Sequence, residues 1–196
     1  MARTTRLFPP LAKGGQGGFR LMAISLQELN HLSREDFVAC LGAIYEHSPW
    51  VAERVWSARP FDSFDRLASA MHDAVEAASP AEQLALIRAH PELAGRLAVA
   101  GELTAHSRSE QSAAGLNACT PEEFARLQEL NASYQARFAF PFIVAVRGLT
   151  RTDIIARLEQ RLANEREEEI ATCLREIGRI ARFRLQDLLG SPRTHA

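Results

Sequence analysis

The sequence has few of the features that mark a chain for a particular chemistry. It contains no G-x-S-x-G elbow, no phosphate-cradling glycine loop, no dinucleotide fingerprint, and no H-E-x-x-H or clustered His/Cys/Asp set at metal-ligand spacing. Cofactor and metal are therefore not indicated. The 3 cysteines, Cys40, Cys119 and Cys173, lie far apart in no C-x-x-C arrangement, and their odd number argues against a disulfide framework. They read as small buried apolar residues of a protein in a reducing compartment, the cytoplasm. No run of about 18 apolar residues occurs, so no membrane span is expected. Charge of one sign is missing too. The formal net charge is −1, with acidic and basic residues interspersed, which leaves no field to hold nucleic acid or an anionic membrane. The expected partner is a small molecule or a protein.

What is present describes one ordinary domain. The chain has 196 residues, 46% hydrophobic and 24% charged, enough to bury its own core. The opening stretch MARTTRLFPPLAKGGQGGFR carries basic residues, prolines and glycines without the apolar h-region of a secretory signal. Residues 1–22 are expected to be a disordered extension and 191–196 a disordered tail, around a domain spanning 23–190. Met22 stands directly before the first well-patterned segment, so the natural start is expected there. The intact mass of protein expressed from its own promoter checks this.

Within the domain, helices alternate with well-marked stops. Ser25 precedes a first turn, LQEL. Ser33, with Asp36 three residues on, opens a helix from Arg34 to about Glu46, placing Phe37, Leu41 and Ile44 on one face. Ser48-Pro49-Trp50 restarts the chain for a short helix from Val51 to Ala58. A longer one follows from about Ser63 to Ala77. Ser79-Pro80-Ala81-Glu82 combines an N-cap, a proline at the first helical position and a glutamate three residues after the cap. Thr120-Pro121-Glu122-Glu123 repeats that signal and opens a long amphipathic helix towards Phe138. Phe140-Pro141-Phe142 stops it, and the apolar run to Val146 is expected to be an extended, buried turn. Thr150 and Asp153 open a helix to about Asn164, and a last one runs from Arg166 to Leu189. Nothing alternates with period two over a useful length. The class is therefore all-α, a single-domain bundle of roughly eight helices with no significant sheet.

Two segments carry the candidate chemistry. One is HPELAGRLAVAGELTAHSRSEQ, from His90 to Gln111; the other is FAFPFIVAVRG, from Phe138 to Gly148. Pro91 biases His90 away from helix, so the imidazole is expected where a helix stops. Glu110, twenty positions on, supplies a carboxylate that the chain can fold back to face it, and such a pair is a proton-transfer unit. Taken alone, each residue has a plainer reading. A histidine before proline is a cap or surface group, Glu110 a solvated carboxylate, Arg184 a salt-bridged residue of the last helix and FPF simply core.

Further segments join these two: YEHSPW (Tyr45 to Trp50), Arg59-Pro60-Phe61, S-x-x-EQ with AGL (Ser107 to Leu116), LN-x-x-Y (Leu130 to Tyr134) and RFRL (Arg182 to Leu185). In this order and at these separations they resemble the 2-oxo-4-hydroxy-4-carboxy-5-ureidoimidazoline (OHCU) decarboxylases of the urate-to-allantoin pathway, over nearly the whole chain from Ser25 to Leu189. The resemblance implies an all-helical lyase that works without a cofactor. It also implies a homodimer that converts OHCU, a small-molecule substrate, to S-allantoin and carbon dioxide. It makes His90 the catalytic residue and Glu110 its carboxylate partner. Pro91, Ser107, Gln111 and the backbone of Phe142, Ile143, Val144, Ala145 and Val146 surround the substrate, and Arg184 is its counter-ion. The chain departs from the family pattern at His106, Ala139 and Arg147, with Ala139 standing where glycine usually separates the two phenylalanines. Two other classes stay open on the residues alone: a metal-free hydrolase of a related ureide, which would release no carbon dioxide, and a helical interaction module, which predicts an exposed apolar groove and no enclosed polar pocket around His90.

Overall fold

The computed structural model describes residues 24–93, 106, 109 and 119–190. Among these are eight α-helices and no strand: α1 (Leu26–His31), α2 (Arg34–Leu41), α3 (Trp50–Val55), α4 (Phe64–Glu76), α5 (Pro80–Ala89), α6 (Pro121–Phe138), α7 (Arg151–Arg161) and α8 (Arg166–Leu189). A 3-10 turn over Trp56–Ala58 follows α3. No helix among the described residues is long and apolar enough to cross a membrane.

The helices begin where side chains satisfy their first amides. Ser25, Ser79, Thr120 and Thr150 each close a reciprocal capping box with an acidic residue three positions on, and Pro80 and Pro121 occupy the first helical position. Ser33 and Ser63 cap α2 and α4 with the hydroxyl alone. Each cap contributes about 1 kcal/mol. α8 lacks a side-chain cap and carries Glu167, Glu168 and Glu169 in its first turn instead, where the helix dipole favours negative charge.

The longest helix, α8, is the axis of the bundle. Both α4 and α5 pack on it, α3 packs on α4, α2 on α3, and α7 on α6. Leu67, Met71 and Val75 of α4, Leu86 and Ile87 of α5, and Cys173, Leu174, Ile177 and Leu185 of α8 are buried between them. Each large apolar side chain removed from water in this way contributes roughly 1.5–3 kcal/mol. At the end of α6, Tyr134 packs against Phe138 with ring centroids 4.6 Å apart and edge-on against Phe142 at 5.3 Å. This cluster is where the chain turns into the Phe142–Val146 run, all five residues of which are buried.

Two local expectations are corrected. The second helix ends at Leu41 rather than near Glu46. Gly42 is its C-cap, and the chain continues in tight turns closed by Ile44 N–H to Leu41 O and Ser48 N–H to Tyr45 O. Those turns place Ile44, Tyr45 and Glu46 all in the interior, which a continuing helix would not do, and they leave His47 exposed at φ 47°. Of the cysteines, only Cys173 is buried; Cys40 and Cys119 are half-buried, and all three are free thiols. His72 of α4 is half-buried against Gly178, where an added Cβ would come within 2.9 Å of its Nδ1.

Candidate active site

His90 is the C-cap of α5, at φ −74° and ψ 138°, the extended conformation that the following proline favours. Its amide donates to Ile87 O at 3.2 Å, and its ring Nδ1 lies 2.9 Å from Leu86 O. A carbonyl oxygen only accepts, so Nδ1 carries a hydrogen and the tautomer and orientation of the ring are set by this bond. The residue is 7% exposed, so the ring is held rather than sampling solvent. Pro91 follows half-buried, and at Leu93 the carbonyl accepts from Asn131 Nδ2 at 2.7 Å. Asn131 belongs to the LN-x-x-Y segment of α6, whose pairing with the HPEL segment is thus a direct contact.

The second segment reaches the same region. Arg88 Nε, two residues before His90, donates to Ala139 O at 3.3 Å, linking the last turn of α5 to the entry of the Phe142–Val146 run. Ala139 itself adopts the left-handed conformation, φ 61° and ψ 30°, and so ends α6 in the geometry glycine serves more cheaply. The run is then held from two sides. Arg161 Nη1 donates to Ile143 O at 2.6 Å, and Ala145 N–H donates to Glu176 Oε2 at 2.7 Å.

Behind Ile143 lies a buried polar cluster. Arg161 Nε donates to Glu169 Oε1 at 2.8 Å, Asn164 Nδ2 to Glu169 Oε2 at 2.7 Å, and Tyr134 Oη also donates to Glu169. The Arg161 guanidinium sits 4.6 Å from the centre of the Phe142 ring. Burial acts against the charge of Arg161, but the hydrogen bond and charge of Glu169 more than offset it, so its pKa is raised. Burial likewise raises the Tyr134 phenol and pushes the Cys173 thiol up to about 11, leaving both neutral at physiological pH.

Arg184, on α8, is 2% exposed, with Nη1 2.8 Å from Glu46 Oε2 and 3.3 Å from Ile44 O. Its guanidinium is therefore placed by the 44–46 turn before any ligand arrives. Of the site residues read from the sequence, the structure brings the His90 end of α5, the Phe142–Val146 run and α8 into one region through the Arg88, Asn131 and Glu176 contacts. Ser107, Glu110 and Gln111 lie outside the described residues. Sequence reasoning missed Glu46, Arg161, Glu169 and Glu176. Glu46 was visible within YEHSPW, whereas the other three carry no local signal. Among the described residues, no group of three His, Cys, Asp or Glu side chains converges to hold a metal ion. A small apolar cleft lined by Val144, Ala145, Val146, Arg147, Ile180 and Phe183 lies beside the run, but it includes neither His90 nor Arg184.

Residues 30–186 match the OHCU decarboxylase family, most of the chain. The chain belongs to that family. It is 44% identical over 168 residues to the 2-oxo-4-hydroxy-4-carboxy-5-ureidoimidazoline decarboxylase of Haloferax volcanii, covering 86% of this chain and 98% of that one. A uric acid degradation bifunctional protein of a Bacillus species is 42% identical over 163 residues, 83% of this chain and 32% of that longer protein. Among solved structures, the crystal structure of (S)-allantoin synthase superposes with a TM-score of 0.70 at 28% identity, covering 85% of this chain and 54% of that one. The OHCU decarboxylase match spans both candidate segments.

Proposed function

We propose that this chain is a carboxy-lyase that decarboxylates OHCU to (S)-allantoin in urate degradation, with His90 as the residue that moves the proton. Membership of the OHCU decarboxylase family supports the reaction. The observation that supports the role of His90 is its Nδ1 bond to Leu86 O, which fixes the tautomer of a buried, oriented ring. When the carboxylate leaves as carbon dioxide, its bonding electrons pass into the substrate's adjacent ring C=N, which takes up a proton at nitrogen and leaves an enol. The enol hydroxyl then gives up its proton, and a proton is added to the carbon bearing the ureido arm. Delivery from one face sets the chirality. No electron sink other than the substrate is needed; the protein's task is to orient the carboxylate and steady the developing charge.

In this reading Glu110 is the carboxylate that steadies the His90 ring. Pro91, Ser107, Gln111 and the Phe142–Val146 backbone enclose the heterocycle, whose several acceptors and donors suit peptide groups. Arg184, held by Glu46, faces an anionic part of the ligand. The assembly is a cytoplasmic homodimer, as the family resemblance implies, with its thiols kept reduced. A light-scattering mass of twice 21.7 kDa checks the dimer, and fractionation of the native host checks the compartment.

Circular dichroism at an allantoin-sensitive wavelength, following freshly generated OHCU, tests the function. Rapid growth of one enantiomer's signal is expected with the wild-type protein. Decay no faster than the spontaneous, racemic reaction overturns the reading and turns attention to hydrolysis of a related ureide.

A further inference from the structure

The Phe142–Val146 run has a polarity that the family likeness does not explain. The Ile143 carbonyl is taken by Arg161 and the Ala145 amide by Glu176. Both groups therefore face α7 and α8. Between them sits Val144, only 4% exposed, whose own amide and carbonyl have no hydrogen-bond partner among the described residues. Buried backbone groups are almost always paired. In an extended run, successive residues turn their peptide groups to opposite sides, so fixing residues 143 and 145 towards the helices turns those of 144 the other way.

We infer that Glu176 and Arg161 are positioning residues of the reaction: by holding the Ala145 amide and the Ile143 carbonyl, they aim the Val144 peptide groups at the substrate. The inference rests on the OHCU reading. It adds two residues, neither of which touches the ligand, that set the direction of the backbone hydrogen bonds the ligand meets. Glu176 is the more telling of the two. Its Oε2 accepts the amide at 2.7 Å while its Oε1 accepts from Arg179 at 3.0 Å, an arginine whose side chain is largely exposed. A carboxylate spent on a loop amide at the inner face of the longest helix is an acceptor placed for geometry, since a residue without an acceptor would leave the Ala145 amide buried and unpaired.

The test compares Glu176→Met, Glu176→Gln and Glu176→Asp with the wild-type protein in the stereospecific OHCU assay, with inhibition by (S)-allantoin measured alongside. Methionine keeps the bulk and loses the acceptor; glutamine keeps an acceptor oxygen and loses the charge; aspartate keeps the charge but draws the acceptor back. Backbone contacts made by both substrate and transition state act on KM rather than kcat. Glu176→Met is therefore expected to raise KM and the (S)-allantoin inhibition constant together by about tenfold, the effect of one lost or misdirected hydrogen bond. The kcat is expected to stay near wild type, with Glu176→Gln close to wild type throughout. Should Glu176→Met fail to fold, Glu176→Asp is expected to show the same KM rise. An unchanged KM in the folded acceptor-deficient variant overturns the inference, as does a Glu176→Gln variant as impaired as Glu176→Met. A wild-type protein that does not accelerate OHCU loss overturns instead the functional reading, and this inference with it.

Discussion

The ring of His90 is tied by Nδ1 to the carbonyl of Leu86, one helical turn back, at 2.9 Å. The bond uses the end of α5 itself, where the last carbonyls have no helical partner, to fix the tautomer of the residue that follows. His90→Asn separates the two jobs of the ring, because the asparagine amide can donate to the same carbonyl but offers no exchangeable proton of suitable pKa. The variant is expected to unfold within about 1 kcal/mol of wild type yet to lose roughly a hundredfold or more in decarboxylation rate. Denaturant titration and the OHCU assay check the two halves. Retention of more than about a tenth of the rate would exclude His90 as the essential proton carrier.

Glu46 and Arg184 form an ion pair at 2.8 Å in which both side chains are nearly sealed from solvent, 1% and 2% exposed. Removing one member of such a pair strands a buried charge and costs about 3–5 kcal/mol. Glu46→Ala should therefore lower Tm by on the order of 10 °C, read by thermal unfolding. Replacing both residues with methionine should recover a large part of the loss. If the single and double variants melt alike, the pair is not a coupled unit.

Ala139 ends α6 at φ 61°, a conformation that carries a steric cost for any residue with a Cβ. Ala139→Gly relieves it and is expected to stabilise the protein by about 1 kcal/mol, a rise in Tm of roughly 3 °C. Because the Ala139 carbonyl still meets Arg88, the decarboxylase rate should be unchanged. A drop in Tm would show that the loss of chain entropy in glycine outweighs the strain.

The parts of the fold legible in the sequence are those governed by neighbours along the chain. Ser79 with Pro80 and Glu82, Thr120 with Pro121 and Glu123, and Pro91 after His90 act over one to three residues, and the helix boundaries they imply are the observed ones within a residue or two. The end of α2 was not legible, because the helical pattern through Ile44 is compatible with either course. What decides it is the pairing of Glu46 with an arginine 138 positions away. The supports of the Phe142–Val146 run were hidden for the same reason. Glu176 reads as one more acidic residue on a charged helix, and only the packing of that run against α8 shows that its carboxylate meets a backbone amide. The motif segments stand out along the sequence; the residues that hold the Phe142–Val146 run, Arg161 and Glu176, do not.

Cys173 makes the stability of the protein depend on pH in the alkaline range. Its thiol is fully buried, and burial is the main cause that pushes its pKa up to about 11 from an ordinary value near 9. Below the unfolded value, both folded and unfolded states keep the proton and the thiol adds no pH dependence. Above it the unfolded chain ionises first, so the unfolded state binds fewer protons and stability falls as pH rises, through the folded value. Tyr134, whose phenol is also raised by burial, acts in the same direction. The protein is thus expected to lose stability between about pH 9 and 11, and Cys173→Ala should flatten part of that decline in denaturant titrations across the range. The same burial makes the thiol inert. At pH 8, iodoacetamide followed by mass spectrometry should label Cys173 only after unfolding, while the half-buried Cys40 and Cys119 react in the native protein at a slow rate set by their own raised pKa values. Rapid native labelling of Cys173 would mean that the α8 interior opens far more readily than a sealed core should.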